Sequence, residues 1–394
     1  GGAFSLGYGV LYHDHPAATA GEMVFVAQNL AQNGEFANPF PTRKTGPTAA
    51  VAPAYAFLLA GLFKVFGREY GGLAMMMTTA LVHGLHTALL ILLSRRILQD
   101  PQPGIWAAVL AGVFPIVRFL PAWEAILAAV GLIMFCLFSF RWVHECPGGA
   151  NKFALLGVMA GILVLLHPVA ALVAVVWISL LLRDNWRALR KPFVLAGCFG
   201  LMLFATPLPW TIRNRVVLGT PAIKIGFWGN LEVSNNDCAS SNFVMNFRSG
   251  CQDRHNPQII RADADIYAAM GEVKSEAHKK GIVIAWIKEN PAVFLRLTGK
   301  RILEFWLPNL AEGPYAVTIS LITILSGAGF VLMVRKRVPF LRFAFYTSLI
   351  YPLPYYLVVS DSRYRIPILW ISLLSAGYFL HALWERLVSR QASC

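Results

Sequence analysis

Three carboxylates, Asp14, Glu22 and Glu124, stand where apolar runs meet polar loops. A carboxylate held at a water–lipid boundary can act as general base toward a hydroxyl or amine. The plainer alternatives are a solvated loop acid or, for Glu22, a favourable charge in a helix's first turn. The string Asp361-Ser362-Arg363-Tyr364-Arg365 places two arginines and a tyrosine just before an apolar run. Arg363 and Arg365 have the planar fork that clamps a phosphate bidentately; as simple interfacial anchors they and Tyr364 would mark the same depth. Arg213 and Arg215, following Trp210, form a similar pair.

Other polar groups carry less. His13-Asp14-His15 sets ligand types at i and i+2, which in an extended chain could share a divalent metal ion. No third and fourth ligand follows in sequence, so a polar loop is the favoured reading and no metal centre is assigned. His83 and His86 lie one helical turn apart in an apolar run and read as packed residues. Cys238 and Cys251 fall in a turn-rich stretch of Asn, Ser and Gly. On an oxidising face such a pair forms a disulfide; the alternative is two free thiols.

The elements that must position these residues are set by composition. Of 394 residues, 57% are hydrophobic and only 14% charged, against about 25% charged in soluble domains. The apolar residues sit in long runs, which excludes a soluble enzyme and a disordered chain. Solid runs also exclude a transmembrane β-barrel, whose strands alternate. Spanning helices are expected at 73–93, 104–120, 124–140, 153–166, 168–182, 193–210, 315–334, 339–358 and 366–384. His167-Pro168 breaks the pair in the middle, because proline ends a helix. The sum is an all-α polytopic membrane protein with about nine to eleven transmembrane helices.

The net charge of +14 is mainly a topology signal. Arg95, Arg96, Arg141, Lys152, Arg183, Arg187, Arg190 and Lys191 fall on alternate links, as do Arg335, Lys336, Arg337, Arg342, Arg386 and Arg390. The positive-inside rule makes that face and the C-terminus cytoplasmic. No dense basic patch with interleaved aromatics points to nucleic acid. The opposite, periplasmic or extracellular face receives the first loop and a long segment at 212–312.

Four segments follow from this: an N-terminal helix (its beginning missing) plus first loop at 1–70, a bundle at 71–211, a cap at 212–312 and C-terminal helices at 313–394. In the first loop, 20–32 has a helical pattern stopped by Asn33-Gly34. The apolar stretch 49–66 reads as a helix lying in the interface, since spanning would invert every later loop. In the cap, an amphipathic helix is expected at 263–289, and a second, interfacial one at 292–306 after Asn290-Pro291.

Taken in order, several strings resemble the polyprenyl-phosphate-dependent glycosyltransferases of the C-type (GT-C) fold, in the protein-mannosyltransferase and aminoarabinose-transferase group. They are Ala27-Gln28-Asn29-Leu30 with Gly34-Glu35-Phe36, Trp123-Glu124-Ala125, Pro209-Trp210-Thr211-Ile212-Arg213-Asn214, Trp286-Ile287-Lys288-Glu289-Asn290-Pro291 and Asp361 to Pro367. The resemblance implies a multi-pass protein of a bacterial inner membrane, an inverting transferase taking a sugar from a polyprenyl-phosphate donor on the non-cytoplasmic face. Arginines would hold the lipid phosphate and a first-loop acid would activate the acceptor. The family's acid, often Asp-Glu, falls here on Thr19-Ala20, neither of which can act as a base. Glu22 or Asp14 would have to substitute. The alternative is a catalytically inactive GT-C subunit that binds lipid or partner membrane proteins within a larger complex.

Overall fold

The computed structural model describes residues 21–113, 124–145, 149–187, 189, 191–254 and 261–392. Asp14, His13, His15 and the Thr19-Ala20 position lie outside the described residues. Among those described, the chain is helical, with two isolated β-bridges and no strand. Helix α1 (Glu22–Asn33) ends where Asn33-Gly34 predicts, Gly34 adopting φ 74° and donating its N–H to the Leu30 carbonyl. The run from α2 (Pro53–Ile97) is one helix by hydrogen bonding but is broken at Gly67, at φ 72° and ψ 178°. A residue with a Cβ rarely adopts that φ, so glycine fixes where the first arm turns into the second.

The central elements are α3 (Gln102–Val113), α4 (Ala125–Phe140), α5 (Ala150–Leu166), α6 (Pro168–Asp184), α7 (Pro192–Ala205) and α8 (Leu208–Leu218). The expected break at His167-Pro168 is present, His167 being extended between α5 and α6. The chain then forms α9 (Phe227–Ser234), α10 (Phe243–Arg248), α11 (Arg261–Met270), α12 (Glu272–Glu289) and α13 (Pro291–Trp306). It closes with α14 (Pro314–Arg335), α15 (Phe340–Ile350) and α16 (Ile366–Ala392).

Two expectations change. The amphipathic helix at 263–289 is two helices, because Gly271 sits at φ 77° between α11 and α12. The apolar run 339–358 is helical only to Ile350, then tightens into a short 3-10 turn at Leu353–Tyr356. Pro352 and Pro354 cause this, since each lacks the N–H that would continue the ladder.

Five stretches among the described residues are long and apolar enough to cross a membrane: Pro53–Ile97, Ala125–Glu145, Pro192–Leu218, Pro314–Arg335 and Ser362–Ser389. Gln102–Val113 and Ala150–Leu166 are shorter apolar helices. Their outer faces stay apolar, as Leu81, Phe193 and Phe204 are all at least three-quarters exposed. A bilayer, not water, is the solvent such faces require. This is a multi-pass membrane protein.

Within the bundle, helices meet at small residues, the usual solution where burial between helices gains nothing over lipid. A Cβ built on Gly377 of α16 would lie 2.1 Å from the Pro103 carbonyl of α3, and one on Gly329 of α14 would lie 1.9 Å from the Ser375 carbonyl of α16. The basic links meet at one end of the bundle. Arg96 pairs with Glu145, Arg342 with Asp184 at 2.8 Å, and Lys336 lies 5.8 Å over the Tyr378 ring. The described helices between Leu218 and Pro314, called the cap below, bond to the first loop through Glu272 and to the segment around Leu357–Ser362 through Asn235 and Asn242.

Gly377→Leu is expected to force α16 away from α3 and cost about 1–3 kcal/mol, read as a lower thermal midpoint in lipid nanodiscs; Leu387→Ala, at an exposed position, is the control expected to leave it unchanged.

Candidate functional site

Glu124 precedes the first turn of α4 and is 3% exposed. Its Oε1 lies 2.8 Å from His167 Nδ1, and its Oε2 has no hydrogen-bond partner among the described residues. The break at His167 matters here. A residue inside a continuous helix could not turn its ring toward the start of α4. His167 Nε2 lies 2.9 Å from the Tyr355 hydroxyl, and Tyr351 donates to the Tyr364 carbonyl at 2.9 Å. His167 thus bridges the Glu124 carboxylate and the Tyr355 hydroxyl through its two ring nitrogens.

The aromatic side of this cluster is stacked. The Tyr355 and Tyr364 rings are 4.7 Å apart and nearly parallel. Arg363 lies over the Tyr364 ring at 5.3 Å and pairs with Asp361 at 3.3 Å. Glu124 is within electrostatic reach of both Arg363 and Lys224. Thus the structure gathers Glu124, Arg363 and Tyr364 from the sequence candidates. It adds His167, Tyr351 and Tyr355, which sequence reasoning did not select as functional. The available signals were an ionisable residue at a break in an apolar run and the Tyr351-Pro352-Leu353-Pro354-Tyr355 string.

The remaining arginine candidates lie elsewhere and are engaged with protein. Arg365, 1% exposed, donates to the Trp306 carbonyl, Thr323 Oγ1 and Ser372 Oγ, with Trp306 stacked 4.7 Å away. Arg213 donates to the carbonyls of Thr48 and Phe36 at 2.9 and 3.0 Å and sits between the Phe36 and Trp210 rings. It therefore ties the first loop to α8. Arg301, not selected from sequence, is fully buried and donates to Asn235 Oδ1 and to the carbonyls of Leu357 and Ser234. Burial pushes its guanidinium down to about 10.

Glu22 belongs to a different cluster. It stands in the first turn of α1, within electrostatic reach of Tyr267 and Glu272 in the cap. Glu276 accepts from the Tyr267 hydroxyl and from the N–H groups of Trp228 and Gly229 at the start of α9. Lys279 bridges Glu232 and Asp263 at 3.3 and 3.2 Å. Glu272 accepts from Thr48 Oγ1 and the Ala49 N–H, fastening the first loop to the cap. Burial, opposed by those two bonds and aided by Glu276 and Glu22, pushes the Glu272 carboxyl from 4.5 up to about 7. Cys238 and Cys251 are joined in a disulfide. No group of three or more metal-ligand side chains occurs among the described residues.

No family model matches the chain, and no curated protein matches it. Among solved structures, it is similar to the archaeal oligosaccharyltransferase AglB from Archaeoglobus fulgidus, whose structure contains an inhibitory peptide and a dolichol-phosphate. The TM-score is 0.51 at 12% identity over 94% of this chain. The chain spans about half that protein's length, 47% of it. The likeness is one of fold alone: the two share an all-α, multi-pass arrangement of helices.

The raised Glu272 carboxyl fixes the sign of one pH effect. Because its folded value exceeds its unfolded one, its contribution is full below about pH 4.5 and is lost as pH rises through about 7. Wild type should lose thermal stability between pH 5 and pH 8, and Glu272→Gln should flatten that slope. An equal slope in both would assign it to another group.

Proposed function

We propose that this chain is an integral membrane glycosyltransferase that moves a sugar from a polyprenyl-phosphate donor to an acceptor, with the Glu124–His167 pair as its base. The observation that carries the reading is the buried Glu124 carboxylate, one oxygen on His167 and the other unpartnered among the described residues, within reach of Arg363. A charge in such a setting is costly unless it is used or compensated. Perturbed, buried ionisable groups that converge in one place mark functional sites more often than surface pairs do. The GT-C fold, and a fold neighbour whose structure holds a dolichol-phosphate, support the lipid donor.

The step balances as a single displacement. The acceptor hydroxyl oxygen attacks the anomeric carbon, and the bond from that carbon to the phosphate oxygen breaks. The polyprenyl phosphate leaves with the electron pair, and the configuration inverts. The acceptor proton passes to Glu124, whose orientation His167 fixes through its own bond to Tyr355. Arg363 stabilises the departing phosphate, a contact worth more in a groove that excludes water. Tyr364 flanks it. Asp14 and Glu22 stand as alternative bases from the first loop, Glu22 on the cap side of that loop. In this reading the four segments 1–70, 71–211, 212–312 and 313–394 are the working parts. The cap and site face away from the cytoplasm of a bacterial inner membrane, and the C-terminus lies inside.

A second reading, an inactive GT-C subunit holding lipid or a partner membrane protein, is favoured by Arg213 and Arg365. Both spend their donors on backbone and side-chain oxygens of the fold. Turnover separates the two. With a panel of polyprenyl-phosphate sugars in nanodiscs, wild type should transfer and Glu124→Gln should lose about 100-fold or more, with Glu22→Gln and Asp14→Asn near wild type. Activity unmoved by Glu124→Gln would remove that residue as the base. Arg363→Ala should weaken polyprenyl-phosphate binding about tenfold. Binding of polyprenyl phosphate with no transfer from any donor would establish the inactive subunit.

A further inference from the structure

Away from the Glu124 cluster, the cap carries a cleft of about 470 Å³, within the size range of small-molecule sites, about 300–1,000 Å³. Its walls come from three places: Glu232 on α9, the loop of Asn236 and Asp237, and Ile282 with Trp286 on α12; Arg254 closes the rim. The polar groups are not adrift. Trp286 Nε1 donates to Asp237 Oδ1 at 2.7 Å, which fixes the indole ring. Asn236 Nδ2 donates to the Glu232 and Val233 carbonyls, while its Oδ1 accepts from the Cys238 N–H. The Cys238–Cys251 disulfide ties the Asn236–Asp237 loop to the turn Gln252–Arg254 that ends the opposite wall. Below, Asn235 and Arg301 share the Leu357 carbonyl, so the floor is rigid. Arg254, exposed, makes no ion pair among the described residues.

The lining decides between ligand classes. With Glu232 already paired to Lys279, Asp237 and Arg254 leave the cleft without the excess positive charge that a phosphate or another anion requires. Two carboxylates without a third ligand do not make a cation site. The Glu232 and Asp237 carboxylates and the two Asn side chains in the walls do not suit a lipid chain. What fits is a neutral molecule with one C–H face and a rim of hydroxyls. An indole held in place and the half-exposed Ile282 offer an apolar face for the C–H groups. Carboxylate, amide and guanidinium groups surround it as acceptors and donors in positions set before binding, which lowers the ordering cost. We propose that this cap cleft binds a neutral pyranose unit of a glycan, stacked on Trp286 and hydrogen-bonded by Asp237 and Arg254.

The test uses the full chain in lipid nanodiscs, with no maltoside detergent, and saturation-transfer NMR. The probes are methyl α-mannoside, methyl β-glucoside and N-acetylglucosamine, with glucuronate and inorganic phosphate as anionic controls. At least one neutral probe should show transfer strongest on its axial C–H face, and neither anion should compete. Trp286→Ala should weaken that probe about tenfold. Ile282→Glu and Asp237→Ala, at exposed positions that leave the cap packing intact, should weaken it as well. The Cys238→Ser/Cys251→Ser double variant should do the same, by freeing one wall. No signal from any neutral probe, or affinity equal to wild type in Ile282→Glu and Asp237→Ala, would overturn the proposal. No polyprenyl phosphate is present, so the result is separate from the transferase reading: glycoside binding without transfer would sink only that reading, and transfer without glycoside binding would sink only the cleft.

Discussion

Where a helix or loop ends inside the protein it leaves backbone carbonyls that neither water nor lipid can reach, and that constraint shapes the cap side of the bundle. Buried side chains satisfy them. Arg301 takes the Ser234 and Leu357 carbonyls, Arg365 takes that of Trp306, Tyr351 that of Tyr364, and Arg213 those of Phe36 and Thr48. Asn214 and Trp210 do the same for Ala222 and Ile223. An arginine suits the task because its planar fork reaches two or three acceptors at once. A hydroxyl reaches only one.

This gives a physical reason why breaks and chemistry coincide. The turn at Leu353–Tyr356 and the extended residue at His167 would be costly in a span, yet once their carbonyls are satisfied they let side chains point into the space between helices. His167 meets Glu124, and Tyr355 meets His167, only because both elements depart from helix there. The same departure lets the cap seat itself. Ser360 exchanges backbone bonds with Ser241 and Phe243, and Glu312 receives Ser362 and Asn242. Burial holds the Glu312 carboxyl above its ordinary range in spite of those donors. The bundle is thus joined by small-residue contacts in its middle and by polar bonds at its cap end. The first suits lipid; the second needs partners that lipid does not offer.

The first loop is held from two sides by unlike means. Arg213 grips its backbone from α8 within a cage of Phe36 and Trp210, and Glu272 grips Thr48 and Ala49 from the cap. One is a permanent cation; the other is a carboxyl whose charge changes near neutrality. The loop's attachment to the bundle is therefore insensitive to pH, while its attachment to the cap is not.

Much of the architecture was legible in the residues. Long apolar runs separated by arginine-bearing links require spanning helices, Asn33-Gly34 stops α1, and His167-Pro168 divides α5 from α6, because hydropathy and backbone sterics act locally. Glu124 was also visible, as a carboxylate where an apolar run begins. Local signals do not say what such a group faces. That Arg363 stands near Glu124 while Arg365, two residues on, turns into the core is decided by the 3-10 turn at Ser362–Arg365, which points neighbouring side chains in different directions. That Glu22 falls within electrostatic reach of Glu272, 250 positions later, is decided by the docking of the first loop on the cap. Sequence determined which segments prefer lipid; only the packing of distant segments decided which polar groups share a site, since hydrogen bonds and charges act over a few ångströms of space and not along the chain.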